Sequence, residues 1–109
     1  MAQFQTLTLN MASGTGYVVS LPSPVGSITL AARAECYVKV VGAGVAPATP
    51  TSAAIPSAGT TTTYLHMLTG ESVTIEIDAT INTNYEYTKY VAVWAVGSGN
   101  LTMLSLVHP

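Results

Sequence analysis

The sequence predicts an all-β fold, a β-sandwich of about eight strands, and three observations carry the prediction. Apolar residues recur with period two along much of the chain. Glycine and proline interrupt these runs at sandwich-like intervals. No window of helical length shows a 3.6-residue period with caps. A jelly roll is the architecture this spacing favours, with an Ig-like Greek-key sandwich as the alternative. The 109 residues make one domain, 1–109, with a Pro-rich loop or arm at 42–60. A chain of this size buries about 65% of its unfolded surface, enough for one modest core without metal or disulfide.

The strands follow in order. Thr6 and Thr8 alternate with Leu7, Leu9 and Met11. Residues 17–21 form a short strand candidate, stopped by Pro22 and Pro24. The clearest alternation is 27–41, SITLAARAECYVKVV. Ile28, Leu30, Ala32, Ala34, Cys36, Val38 and Val40 fall on one face; Ser27, Thr29, Arg33, Glu35, Tyr37 and Lys39 fall on the other. That run is long for a strand of about five or six residues. It is either two strands joined near 31–34 or one bent strand passing between two sheets.

Residues 42–60, GAGVAPATPTSAAIPSAGT, hold Pro47, Pro50, Ile55 and Pro56 among small residues. Proline cannot donate to a ladder, so this stretch is a surface loop or an arm laid across a neighbouring molecule. Residues 61–68 are rich in β-branched and aromatic side chains. Gly70 marks a turn into 71–78, ESVTIEID, where Val73, Ile75 and Ile77 point inward and Ser72, Thr74, Glu76 and Asp78 outward. A polar connection follows at 79–87. Residues 89–96, KYVAVWAV, are apolar on both faces, which marks a central strand covered twice; a neighbouring subunit is one way to cover it. The glycines of Gly97-Ser98-Gly99-Asn100 predict a hairpin between that strand and 101–107.

Charge narrows the function. Asp, Glu, Lys and Arg make up 7% of the chain, where about 25% is usual. Ser, Thr, Asn, Gln, Gly and Ala take their place, and these enter a protein contact without the desolvation cost of a buried ion. Interface centres are depleted in Lys, Glu and Asp for that reason. The only basic residues, Arg33, Lys39 and Lys89, do not cluster, and the net charge is −2, which argues against nucleic acid as a partner. No apolar run approaches the roughly 18 residues of a membrane helix, and MAQFQTLTLN lacks a signal-peptide pattern, so synthesis in a cytoplasm without membrane attachment is expected. Cys36 is alone, which excludes an intrachain disulfide and a Cys-based zinc site; its place on an apolar face makes it a small core residue.

No catalytic, metal or cofactor site is expected. His66 lies within a strand pattern, and no Gly-x-Ser-x-Gly elbow accompanies it or His108. Gly14-Thr15-Gly16 is too short for a dinucleotide loop. Glu76 and Asp78 share a strand face, which reads as a solvated outer face rather than a catalytic pair. The aromatic group Tyr85, Tyr87, Tyr90 and Trp94, interleaved with Asn82, Asn84 and Glu86, admits three readings: a core residue with its rim, anchors at a protein interface, or a sugar-binding surface. The candidate interface residues are these four aromatics with Pro47, Pro50, Ile55 and Pro56. More broadly, the uncharged tracts 1–32, 40–70 and the segment after Lys89 are where neighbours are expected.

Three features together resemble the small decoration, or cement, proteins of tailed-bacteriophage capsids: the short Thr/Ser/Ala/Gly-rich chain, the ESVTIEID strand entered through Gly70-Glu71-Ser72, and the closing YVAVWAVGSGNLTMLSLV segment. The resemblance implies a non-enzymatic virion protein on the capsid surface. Such a protein is often a jelly roll and commonly a homotrimer, and it binds the major capsid protein and clamps adjacent subunits. A carbohydrate-binding β-sandwich of a phage tail or head fibre is the alternative, motivated by the aromatic group at 82–94.

Overall fold

The computed structural model describes residues 3–21, 25–42, 47–51, 64–76 and 89–107. They form eight strands, β1 (Gln3–Met11), β2 (Thr15–Ser20), β3 (Val25–Ala32), β4 (Cys36–Gly42), β5 (Leu65–Met67), β6 (Ser72–Glu76), β7 (Lys89–Ala95) and β8 (Gly99–Val107). No helix occurs among the described residues. The strands make two antiparallel four-stranded sheets, β1-β8-β3-β6 and β2-β7-β4-β5.

The pairing follows a simple rule. β1 pairs with β8, β2 with β7, β3 with β6 and β4 with β5, all antiparallel. The first half of the chain thus runs back along the second like one long hairpin. Two further ladders, β3 with β8 and β4 with β7, join the halves within each sheet.

Both sheets turn their apolar alternation toward a single core. Ile28 and Leu30 of β3 and Leu101 and Met103 of β8 meet Val38 of β4, Met67 of β5 and Val91 and Val93 of β7, all fully or almost fully buried. Val73 and Ile75 of β6 pack at its margin. The two layers sharing this core make a β-sandwich. Cys36 is buried in it, and burial, followed by the nearby Glu35 carboxylate, pushes its thiol pKa up to about 11.

The 27–41 run resolves into the first of its two expected forms. β3 ends at Ala32, β4 begins at Cys36, and 33–35 carries the chain from one sheet to the other. Its alternation survives the crossing: Ala34 stays buried while Arg33 is exposed.

The expected hairpin at 97–100 is not one. β7 and β8 lie in different sheets and do not pair with each other. Four crossings gather at this end of the sandwich and their backbones are stitched together. Val96 N and Gly97 N donate to Glu35 O at 3.0 Å, and Arg33 N donates to Asn100 O at 2.8 Å. Gly14 N, in the β1–β2 turn, donates to Ala95 O at 2.8 Å, and Ser13 Oγ donates to Val96 O at 2.7 Å. Ala32 N donates to Glu71 O and Gly70 N to Ala32 O. Gly99 is needed here for closeness, since a Cβ on it would stand 2.9 Å from the Ala34 Cβ and 3.2 Å from Arg33 O. The glycine pattern marks a close crossing and not a tight turn. Gly70, with φ of 90°, serves a true turn: Glu71 N donates to Leu68 O, and the Glu71 carboxylate accepts from Leu68 N at 2.6 Å.

Candidate interaction surface

Pairing fixes which residues share each outer face, because directly opposed residues point the same way. On the β1-β8-β3-β6 sheet, Phe4, Thr6, Thr8 and Asn10 lie beside Leu106, Leu104, Thr102 and Asn100. Next come Ser27, Thr29 and Ala31, then Glu76, Thr74 and Ser72. Among the described residues Glu76, at the far edge, is the one charged side chain on this face. Phe4 is 70% exposed and Leu104 36%. The hydroxyls of Thr29 and Thr74 hydrogen-bond across the strands at 2.8 Å. The face is therefore flat, rich in threonine, uncharged but for its rim, and apolar at one end. It joins parts of two tracts, 1–32 and the segment after Lys89, that the sequence marks for neighbours.

The outer face of the β2-β7-β4-β5 sheet has a different chemistry. It carries Tyr90, Ala92 and Trp94 of β7, Tyr37, Lys39 and Val41 of β4, Gly16, Val18 and Ser20 of β2, and His66 of β5. Tyr37 and His66 stack with ring centroids 4.4 Å apart and planes 10° from parallel. His66 Nε2 donates to the Glu35 carboxylate at 2.6 Å. Lys39 Nζ lies 5.8 Å from the centroid of the Tyr64 ring, and burial raises the Tyr64 pKa. At about two-fifths exposure on each side, the His66–Glu35 pair contributes at most about 1 kcal/mol.

Part of this second face is covered by the chain itself. A Cβ on Gly16 would collide with the backbone carbonyl of Pro50 and stand 3.2 Å from Thr49 Cγ2. The segment 47–51 therefore lies over β2 beside Trp94, the cross-strand partner of Gly16. Pro50 is buried there, and Pro47 is half-buried. This described part of the expected arm thus folds back on its own sheet. It supplies part of the second cover that the doubly apolar β7 requires, and Ala92, on the outer face, is 1% exposed.

The chain matches no protein-family model, no curated protein and no solved structure.

The candidate interface residues divide accordingly. Tyr90 and Trp94 are half-buried on the aromatic face, so Trp94 is not part of the core. Tyr85, Tyr87, Ile55 and Pro56 lie outside the described residues, as do Ile77 and Asp78. Leu104 and Leu106 escaped sequence reasoning because the stretch LTMLSL of β8 is apolar at most positions on both faces, and Phe4 because it precedes the alternation that begins at Thr6. Only pairing with β1 and β3 separates inner Leu101 and Met103 from outer Leu104 and Leu106. Tyr37 and His66 lie far apart in sequence, and only the β4–β5 ladder brings them together. Among the described residues, no three His, Cys, Asp or Glu side chains gather in a group that could hold a metal ion.

Proposed function

We propose that this protein is a non-enzymatic structural component of a tailed-bacteriophage virion that decorates and stabilises the capsid by bridging adjacent subunits, and that it works as a homo-oligomer. The observation that carries the reading is the uncharged outer face built by β1, β8, β3 and β6. A decoration protein needs contact area more than a pocket, and a standard interface takes about 800 Å² from each partner. A threonine-rich face without central charge meets another protein at little desolvation cost. Binding the assembled shell and not its separated subunits stabilises the shell by mass action, and repetition over a lattice adds avidity.

The reading extends to the fold. A jelly roll is a long antiparallel hairpin rolled into two sheets. What supports it is the pairing of each of the first four strands with its counterpart from the last four. The Ig-like alternative joins several consecutive strands within a sheet. Among the described strands, only β4 and β5 are consecutive within one sheet.

Immunogold electron microscopy of particles from cells that make this chain tests the proposal. Label on the outer surface of the shell is the expected result; its absence from the particles overturns the proposal. Label on a tail or head fibre favours a second reading, a carbohydrate-binding module, for which the stacked Tyr37–His66 pair with its Glu35 carboxylate is the motivating feature. A glycan array that stays blank removes that reading.

A further inference from the structure

Sheet edges are where β-proteins associate, and natural proteins block them with charge, proline, brevity or a covering segment. Among the described residues, three of the four sheet edges carry such a device. β5 has three residues. β6 has five, ends on Glu76 and follows Glu71. β2 is followed by Pro22 and Pro24 and has segment 47–51 lying over it at Gly16. The fourth edge, β1, has none. It is nine residues long, QFQTLTLNM, without charge or proline. β8 lies on one side of it, and no described strand lies on the other. Phe4 and Leu7, on opposite faces of this strand, are 70% and 41% exposed.

We infer that β1 pairs antiparallel with β1 of a second copy of this chain, giving a two-fold dimer with one continuous eight-stranded sheet, β6-β3-β8-β1 and its symmetry mate. The occupant follows from the strand's own chemistry. A two-fold axis normal to the sheet brings like residues together, and an uncharged strand does this without repulsion. Full overlap of Gln3–Met11 puts the axis at Leu7, with Thr6 opposite the partner's Thr8. An antiparallel ladder forms about one hydrogen bond per residue pair, so nine pairs supply about nine, within the roughly 10 ± 5 of a standard interface. Each copy offers one unguarded edge among its described strands and the pairing consumes both, so growth stops at the dimer.

The pairing also enlarges the surface. At about 4.8 Å between strands and 3.3 Å per residue, the uncharged face of one copy measures at most about 570 Å² in projection, and joining two copies doubles it to one continuous face of about 1,100 Å². The inference rests on the assembly reading above for its use in a shell. It predicts even-numbered assemblies where the resemblance to decoration proteins implies trimers.

Light scattering on a sizing column at tens of micromolar tests it. The expected mass is twice the 11.3 kDa of the chain. The double variant Thr6→Lys/Thr8→Lys, at exposed outer-face positions, sets lysines opposite lysines and is expected to run as a monomer with an unchanged circular dichroism spectrum. Thr6→Glu/Thr8→Glu should also be monomeric, and an equal mixture of the two variants should recover the dimer. Independently, Leu7→Cys should give a disulfide-linked dimer on mild oxidation, because Cys36 is buried. A wild-type monomer or trimer, a lysine variant that stays dimeric, or a Leu7→Cys variant that forms no cross-link would overturn the inference. A wild-type monomer found on the shell defeats the edge pairing alone. A dimer dispersed by the lysines but absent from virions defeats the decoration reading alone.

Discussion

Gly16→Ala is a one-carbon perturbation whose cost follows from the placement of segment 47–51. The new Cβ would run into the Pro50 carbonyl and press on Thr49 Cγ2. If the segment holds its place, overpacking costs about 1–3 kcal/mol. If it lifts, Pro50 loses its burial, about 2 kcal/mol at 25 cal/mol per Å² over roughly 80 Å². Either route destabilises by a similar amount. With 109 residues and about 2.1 cal/mol/K per residue, the unfolding entropy near the midpoint is about 230 cal/mol/K, so Tm should fall by about 4–13 °C. Thermal unfolding followed by circular dichroism gives the shift. Fluorescence separates the routes, because Trp94 is the single tryptophan and sits beside Gly16. A red-shifted emission means the segment has lifted; an unshifted one means it has held under strain. A variant with unchanged Tm and unchanged emission would refute the placement of the segment on β2.

Three further outcomes follow from the fold. Met103→Ala, at a fully buried position in the core, should cost about 2–5 kcal/mol in a denaturant titration, whereas Thr102→Ala next to it should stay within about 1 kcal/mol. Gly99→Val should destabilise by more than about 1 kcal/mol, because its side chain would enter the space of Ala34 and Arg33 O; a hairpin glycine free of such neighbours would not respond so. Cys36 should resist a thiol reagent at pH 8 in the native state and react once unfolded. Because its folded pKa of about 11 lies above the unfolded value of 9.0, its contribution is intact below pH 9 and lost as pH rises through 11. Cys36→Ala should therefore flatten part of the alkaline loss of stability.

The strands were legible wherever one face is apolar and the other polar. In 27–41 the alternation names the buried residues Ile28 through Val38 correctly, with Val40 only half-buried, and it persists across the turn at 33–35 because Ala34 packs inward there too. It could not say whether the run bends or breaks, since both keep the same parity. The glycines at 97–99 misled for a physical reason. Glycine permits a tight turn and equally a close approach of two backbones, and sequence does not separate these uses. The double apolarity of β7 correctly signalled a central strand, and its outer face is covered in part, with Ala92 buried and Tyr90 and Trp94 half-buried. What supplies part of that cover, residues 49–50 over Gly16, is a long-range contact with no local pattern. The uncharged outer face was visible as composition, but its assembly from β1, β8, β3 and β6 needed the register of three ladders.

The central claim is that this uncharged face docks on an assembled capsid. Co-sedimentation with particles stripped of their own copy of the protein tests it most directly, comparing wild type with Leu104→Lys. That substitution puts a charge in the middle of the face while leaving the β1 edge untouched. The account predicts that wild type pellets with the particles and not with dissociated subunits, and that the folded variant binds at least about tenfold more weakly, the loss that some 1.4 kcal/mol of unpaired charge desolvation would give. Equal binding by both proteins, or none by wild type, would contradict it.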